Sequence, residues 1–183
     1  MSDTTANREQ LEDFVRENYG RAVRYCARLT GSPEDGEEIA QTGLLKLLRL
    51  KGGLSQFDSP MAWFYRVLRN VCIDTMRKNR RLKPLNPELE PAAAPSASHG
   101  VEHEEVRELL EGAVDGLDAL QREAVILRFF EGLPLSDVAA AMERSVGAVA
   151  MLLSRAKLNL RAALSRMPEF ADLAADGGIN NDP

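Results

Sequence analysis

Histidine and cysteine each occur only twice in the 183 residues of this chain. That scarcity leaves little from which to build a metal centre or a disulfide framework. Cys26 and Cys72 lie far apart, sit inside helical patterns and lack CxxC spacing, so they read as small buried thiols in a reducing compartment. His99 and His103 have a spacing that would hold a metal on a helix, with Glu104 beside them. His99 falls in a Pro/Ser/Gly stretch, however, and no third ligand is evident, so neither a metal site nor any other cofactor is expected. No apolar run approaches the ~18–20 residues that cross a bilayer. The opening MSDTTANREQLEDF has neither the basic n-region nor the apolar h-region of a signal peptide. The expectation is a cytoplasmic protein that does not insert into membranes. There is no glycine-rich phosphate loop, no GxSxG and no Cys–His pair, so the chain is not read as an enzyme. No alternating pattern runs long enough for a strand, which leaves an all-α fold.

What is present is a patterned distribution of charge. The net charge is −5, which on its face argues against nucleic acid. Residues 61–81 nevertheless carry six Lys/Arg and one Asp, and residues 146–167 carry four Lys/Arg and no acid. Between them, residues 82–111 carry two Lys/Arg against seven acids, and residues 168–183 carry four acids and no base. Two basic patches separated by an acidic stretch suit a protein that touches DNA twice; solvated helix faces are the plainer alternative. With 44% apolar residues there is enough material for real cores.

The 3.6 period marks out the helices. The first spans about residues 7–29, with Phe14, Val23 and Leu29 among its apolar positions. Gly31 breaks it. Ser32 then caps the next helix, Pro33 suits its first position, and Glu34 and Asp35 suit the positive end of its dipole. That helix runs to about Leu50, with Ala40, Leu44, Leu47 and Leu48 on one stripe and Glu38, Thr42, Lys46 and Arg49 opposite. Gly52-Gly53 ends it, and Ser59-Pro60 opens a third helix that reaches about Arg81. Residues 82–101, with four prolines and two serines, form a flexible linker. Fully extended, it would reach about 65 Å, or on the order of 20 base pairs. A second helical domain covers residues 102–167, and residues 168–183 form a disordered acidic tail.

On a wheel of residues 60–81, Trp63, Phe64, Val67 and Val71 make an apolar face. Arg66, Arg69, Arg77 and Arg80 cluster on another flank, where guanidinium groups could follow a phosphate backbone or meet base edges. Residues 118–166 read as three helices: about 119–130, ended by Gly132; about 135–142; and one opened by Ser145 that runs to about Leu164. Val149, Leu153, Ala156 and Leu160 form the inner stripe of the last. Two helices joined by a tight turn, the second basic toward its end, form a helix-turn-helix.

These residues carry a family resemblance. The segment from Glu34 through Arg81 resembles region 2 of the sigma-70 superfamily, and residues 117–156 resemble its region 4. Together they identify the chain as similar to extracytoplasmic-function (ECF, group IV) RNA polymerase sigma factors. In region 2 the resemblance rests on Asp35, Glu38, Ile39 and Gln41, then on Trp63, Arg69, Asn70, Asp74, Arg77, Lys78, Arg80 and Arg81. In region 4 it rests on Leu117, Leu120, Arg122, Glu123, Leu127, Glu131-Gly132-Leu133, Val138-Ala139, Ser145, Gly147, Val149, Leu153 and Ser154-Arg155-Ala156. It spans most of residues 10–81 and 105–165. What it implies is a region 2 domain over 1–81, a linker over 82–101 and a region 4 helix-turn-helix over 102–167. Core RNA polymerase, through its β′ clamp helices and β flap, and promoter DNA are the implied partners, with an anti-sigma factor as a further one. Asp35, Glu38, Ile39, Gln41 and Leu45 would dock on the polymerase. Phe57 and Asp58, in the base-capturing loop 55–59, would meet the −10 element, with Arg66, Arg69, Asn70, Arg77, Lys78, Arg80 and Arg81. Trp63 lies on the apolar face and reads as core. Ser145, Ala148, Met151, Ser154, Arg155 and Lys157 would meet the −35 element. In such proteins the linker passes near the polymerase active site, and here it carries Glu88 and Glu90.

The chain departs from the pattern in three places. Thr42 and Gly43 replace the usual acid and apolar pair, the glycine costing a helix up to ~1 kcal/mol. Glu143 stands where many helix-turn-helix turns have glycine, at a cost of ~1–2 kcal/mol if left-handed. Ala148, Ala150, Met151 and Leu152 replace the frequent Thr, Lys, Ser and Arg. Two other readings compete with the sigma factor: a helix-turn-helix regulator that is not a polymerase subunit, and a helical adaptor. The arginine flank disfavours the adaptor, and the lack of a dimerisation helix disfavours the regulator.

Overall fold

The structure is a computed structural model. It describes the backbone of residues 2–50, 52–82 and 110–165, and the side chains of residues 8–50, 52–79 and 110–165. Three long helices make the first unit: α1 (Ser2–Thr30), α2 (Pro33–Leu48) and α3 (Pro60–Leu82), with a 3₁₀ turn at Leu54–Gln56 before α3. The second unit begins with α4 (residues 110–115), followed by α5 (Ala119–Val125), a π turn at Ile126–Phe130, α6 (Leu135–Met142) and α7 (Val146–Leu164). No strand occurs among the described residues.

The caps sit where the sequence places them. Ser32 Oγ accepts the Asp35 N–H at 3.2 Å with Pro33 at the first helical position, and Ser59 Oγ accepts the Ala62 N–H at 3.2 Å. Each satisfies a backbone donor that a helix start leaves orphaned. Helix α2 stops at Leu48, two residues sooner than expected. Gly52 and Gly53 then take φ of 97° and 69° in the turn beyond, a region in which side chains are strained. Leu48 is exposed, so the inner stripe of α2 is Ile39, Ala40, Leu44 and Leu47.

A close approach between backbones tightens the first unit. A Cβ built on Gly36 would lie 2.6 Å from the Ala27 backbone nitrogen, so α1 and α2 touch almost backbone to backbone there. The inner face of α3 is Phe64, Tyr65, Leu68, Val71 and Cys72, all buried. Of the apolar face read on the wheel, Phe64 and Val71 lie on it, whereas Trp63 and Val67 are only half-buried and Tyr65, Leu68 and Cys72 complete it. Burial of each large side chain stabilises by ~1.5–3 kcal/mol.

The second unit does not stand apart from the first. Ala124, Ile126, Leu127, Leu133, Val138, Ala139, Ala141, Met142 and Val149 join Tyr25, Phe64, Tyr65 and Leu68 in one continuous apolar cluster. The expected single helix over 119–130 changes pitch at Ile126, where the Glu131 N–H reaches back five residues to the Ile126 carbonyl at 3.0 Å. This wider turn buries Ile126 and Leu127, leaves Phe129 outside at 70% exposed and brings Glu131 back inside.

Candidate nucleic-acid interface

The outer face of α2 presents Glu38, Gln41 and Leu45 to solvent. Gln41 Nε2 donates to Glu37 Oε1 at 3.4 Å, which steadies that polar surface. Asp35 is half-buried beside them, its N–H used by the Ser32 cap. Ile39 does not belong to this surface: it is 2% exposed and packs in the core beneath it, because the α2 spacing turns it inward with Leu44 and Leu47.

In the loop before α3, Asp58 is exposed and the Phe57 ring stacks on Trp63, centroids 4.5 Å apart and planes 19° from parallel. The pair forms one flat aromatic ledge on the rim of the first unit. Trp63 is therefore neither wholly core nor free, and a base can stack only where Phe57 leaves a ring face open. Along α3, Asn70, Arg77 and Lys78 are exposed and Arg66 is half-buried. The side chains of Arg80 and Arg81 lie outside the described residues, as do residues 83–109, which include Glu88, Glu90, His99 and His103.

Arg69 departs from expectation. Its side chain is 13% exposed, and Nε donates to Glu123 Oε1 of α5 at 2.5 Å. The guanidinium thus faces the second unit rather than open solvent. Sequence reasoning also passed over a second set of contacts in the same seam. Tyr65 Oη donates to Glu131 Oε2 at 2.5 Å, Arg21 Nε donates to the same oxygen at 3.3 Å, and Arg21 also reaches the Glu131 carbonyl. Ser59 Oγ donates to Asp137 Oδ2 at 2.7 Å. Arg28 lies 4.5 Å over the Phe130 ring and 3.7 Å from Glu111. The available signal was Glu123 and Glu131, acids set among apolar neighbours where a solvated helix face would not put them.

The electrostatics follow from burial. Desolvation lifts the Glu123 carboxyl above the usual carboxylate range, with Arg69 pulling the other way. Burial, then the bond to Glu131, pushes the Tyr65 phenol well up. Cys72 is raised by its thiol contact with Cys26 and by burial, so both cysteines are inert core thiols. No group of three His, Cys, Asp or Glu that could hold a metal occurs among the described residues.

In the second unit, Glu143 adopts φ 54°, ψ 46° at the turn between α6 and α7, the left-handed geometry its position foreshadowed. Ser145 caps α7, its Oγ accepting the Ala148 N–H at 3.2 Å. Its acceptor capacity is spent partly on the helix, which leaves the hydroxyl proton for an outside acceptor. Val149 and Ala156 are buried and Leu153 and Leu160 pack beside them. On the opposite side Met151, Ser154, Arg155 and Lys157 are exposed, and Ala148 is half-buried. One helix therefore offers an apolar tip followed by two cations, a shape that fits a major groove.

The architecture is that of an all-helical protein whose second unit is a helix-turn-helix. The sigma-70 region 2 family profile matches residues 14–82 and the sigma-70 region 4 profile matches residues 107–160. The RNA polymerase sigma-E factor of Streptomyces avermitilis is 30% identical over 155 residues, covering 85% of each chain. RNA polymerase sigma factor SigV of Bacillus subtilis is 27% identical, covering 85% of this chain and 89% of that one. The chain spans 62% of a third relative, the ECF RNA polymerase sigma factor SigE of Mycolicibacterium smegmatis, at 25% identity. Among solved structures, the sigma factor RpoE bound to the anti-sigma factor NepR from Bartonella quintana shares the fold. Its TM-score is 0.62 at 24% identity, covering 84% of this chain and 98% of that one. The chain belongs to the sigma-70 family of RNA polymerase sigma factors, as a member of ECF type, a class that acts in promoter recognition and transcription initiation.

Proposed function

We propose that this chain is a group IV sigma factor that binds core RNA polymerase in the cytoplasm and carries it to a two-part promoter. The reading assigns residues 1–81 to polymerase docking and −10 recognition, and 102–167 to −35 recognition. The observation that carries it is the order of exposed faces along one chain. The acidic and apolar α2 face (Glu38, Gln41, Leu45) comes first, then the aromatic ledge and basic end of α3, then the α7 face of Met151, Arg155 and Lys157. An acidic helix face is suited to a basic helical partner, and the two basic surfaces to nucleic acid. On this reading α2 docks on the β′ clamp helices, the second unit rests on the β flap, and Phe57, Asp58, Asn70, Arg77 and Lys78 meet the melted −10 strand. An anti-sigma factor is a further proposed partner, and the exposed apolar Met151 and Leu158 of α7 offer it a surface.

Reconstitution tests the proposal. The purified chain added to core RNA polymerase should give specific run-off transcripts from a subset of fragments in a genomic promoter library. A chain that binds those fragments but yields no stable complex with core polymerase would belong instead to the regulators that act outside it.

A further inference from the structure

The outer face of α7 carries more apolar surface than a DNA contact uses. Leu158 is 67% exposed and Met151 57%. The two lie seven residues apart on one side of the helix, with Arg155 between them. A recognition helix meets base edges with its N-terminal turns. That accounts for Met151 but not for Leu158, two turns further on. Arg155 and Lys157 are exposed and hold no ion pair among the described residues. Residues 146–167 contain no acid. The face is therefore apolar and basic, with no carboxylate of its own helix to balance it.

The sequence that follows α7 has the complementary pattern. Residues 166–183 lie outside the described residues. In their sequence, Glu169, Asp172 and Asp176 recur at intervals of three and four, with Phe170 and Leu173 three apart beside them. At helical spacing this sets an acidic row next to an apolar row. Residues 168–183 carry four acids and no base. Reach is sufficient as well. From Ser165 back to Leu158 is about 10 Å along the helix axis, and to Arg155 about 15 Å. Residues 168–176 span about 13 Å as a helix and about 30 Å when extended. Residues 165–167 give a connection of the length that joins two antiparallel helices.

We propose that residues 168–176 fold back along the outer face of α7, with Phe170 and Leu173 against Leu158 and with Asp172 and Asp176 against Lys157 and Arg155. The acids take the cations where DNA phosphate would sit. DNA of arbitrary sequence offers those cations only phosphate, and it must displace the segment to bind. A sequence that also engages Arg155 through a base edge gains a directional contact that offsets the displacement. The segment thus weakens non-specific binding most and sharpens the choice of promoter. An anti-sigma factor using the same face would displace it too. The docking stands without the sigma-factor reading, whereas the competition with DNA rests on it.

Two arms on the full chain test this. In the first, a nitroxide is attached at Ala175→Cys; Cys26 and Cys72 are fully buried and leave the label to the new thiol. The label should broaden the amide NMR signals of Leu158 and Arg155. That broadening should be lost in E169Q/D172N/D176N and in F170S/L173S, each carrying the same label. In the second arm, a fluorescein-labelled mixed-sequence duplex of about 20 base pairs is titrated at low salt. E169Q/D172N/D176N should bind it at least about fivefold more tightly than wild type. F170S/L173S, which keeps every charge, should gain at least about twofold. E9Q/E12Q/E17Q removes the same charge from exposed positions of α1 and should gain less than either. Broadening that neither variant reduces would overturn the proposal, as would equal DNA affinity of F170S/L173S and wild type. If adding R155A/K157A to E169Q/D172N/D176N leaves duplex binding unchanged, α7 is not a DNA-binding face. That result counts against the sigma-factor reading of α7, and the broadening then decides the docking.

Discussion

Gly43 on α2 meets Leu68 on α3 so closely that a Cβ on the glycine would lie 2.5 Å from Leu68 Cδ2. The glycine that looked like a helix defect in the sequence is the site where two helices approach. Gly43→Ala gains up to ~1 kcal/mol of helix propensity but overpacks a core in which Leu68 is fully buried. Overpacking of this kind typically costs ~1–3 kcal/mol. Gly36→Ala should cost more, since its obstacle is the Ala27 backbone rather than a side-chain methyl. Urea denaturation should rank wild type above Gly43→Ala and Gly43→Ala above Gly36→Ala. The reverse order of the two variants would mean that α1 and α2 separate more readily than their packing implies.

Glu143 points the other way. At φ 54° it holds a left-handed conformation that disfavours a side chain by ~1–2 kcal/mol. Glycine removes that strain but loses more entropy on folding, ~0.5–1 kcal/mol. Glu143→Gly should therefore stabilise the chain by about 0.5–1 kcal/mol. Thermal unfolding checks this, and a lower melting temperature would show that Glu143 makes a compensating contact.

A third expectation concerns pH. Burial raises the Glu123 carboxyl, and the nearby Arg69 charge offsets this only in part. Tyr25, Cys72 and Arg144 also bear on the same pocket. A raised folded value means that the native chain holds the proton more readily than the unfolded one. The contribution of this group is then complete below the unfolded value of about 4.3 and is lost as pH rises through the raised folded value. Glu123→Gln carries no such dependence at this site. The stability of Glu123→Gln relative to wild type should therefore increase from about pH 4 to neutrality, measured by denaturation at a series of pH values. A constant difference would show that the Arg69 pairing cancels the cost of burial.

The starts of α2, α3 and α7 were legible because each begins at a serine cap, followed by proline in the first two. Local chemistry of this kind leaves its mark within a few residues. Ile39 was misplaced for a different reason. The family resemblance assigned it to the docking surface, whereas the helical spacing sets it on the stripe of Ala40, Leu44 and Leu47. The π turn at Ile126–Phe130 was invisible because its cause is tertiary: Ile126 and Leu127 turn into the core while Glu131 returns to meet Tyr65 and Arg21. The seam was hidden likewise, since Arg69 and Glu123 lie 54 positions apart. Charge patterning showed two basic regions, but not that Arg69 of the first is paired with Glu123 of the other unit.

The polymerase dock predicts a separable defect. Glu38 is exposed and has no structural task visible in the fold. Glu38→Lys should leave the unfolding midpoint within about 0.5 kcal/mol of wild type. It should also weaken core polymerase binding by about tenfold at low salt, with the loss shrinking as salt rises. Direct titration of labelled variant into core polymerase measures both effects. An unchanged affinity would remove the α2 outer face from the docking surface.

Promoter recognition by α7 rests on Arg155. The first two turns offer Gly147, Ala148, Ala150 and Met151, none of which donates a side-chain hydrogen bond. Ser145 upstream of them accepts the Ala148 N–H as a cap and keeps a single rotatable hydroxyl proton, too little to fix a base. Apolar contact of Met151 or Ala148 with thymine methyl groups gives weak discrimination, so the directional term must come from the cations that follow. Arg155 and Lys157 are both exposed, and of the two only arginine presents a planar fork able to hold guanine O6 and N7 together. Arg155→Ala should therefore cost about 1–3 kcal/mol and relax specificity at a single upstream base pair. Lys157→Ala should weaken all sequences alike and lower the salt dependence of binding by about one phosphate contact. Holoenzyme binding to a panel of promoters with each upstream base pair changed in turn distinguishes the two. A uniform, salt-steep loss for Arg155→Ala would assign it to the phosphate backbone. No loss with any upstream sequence would move all base reading to the aromatic ledge and α3.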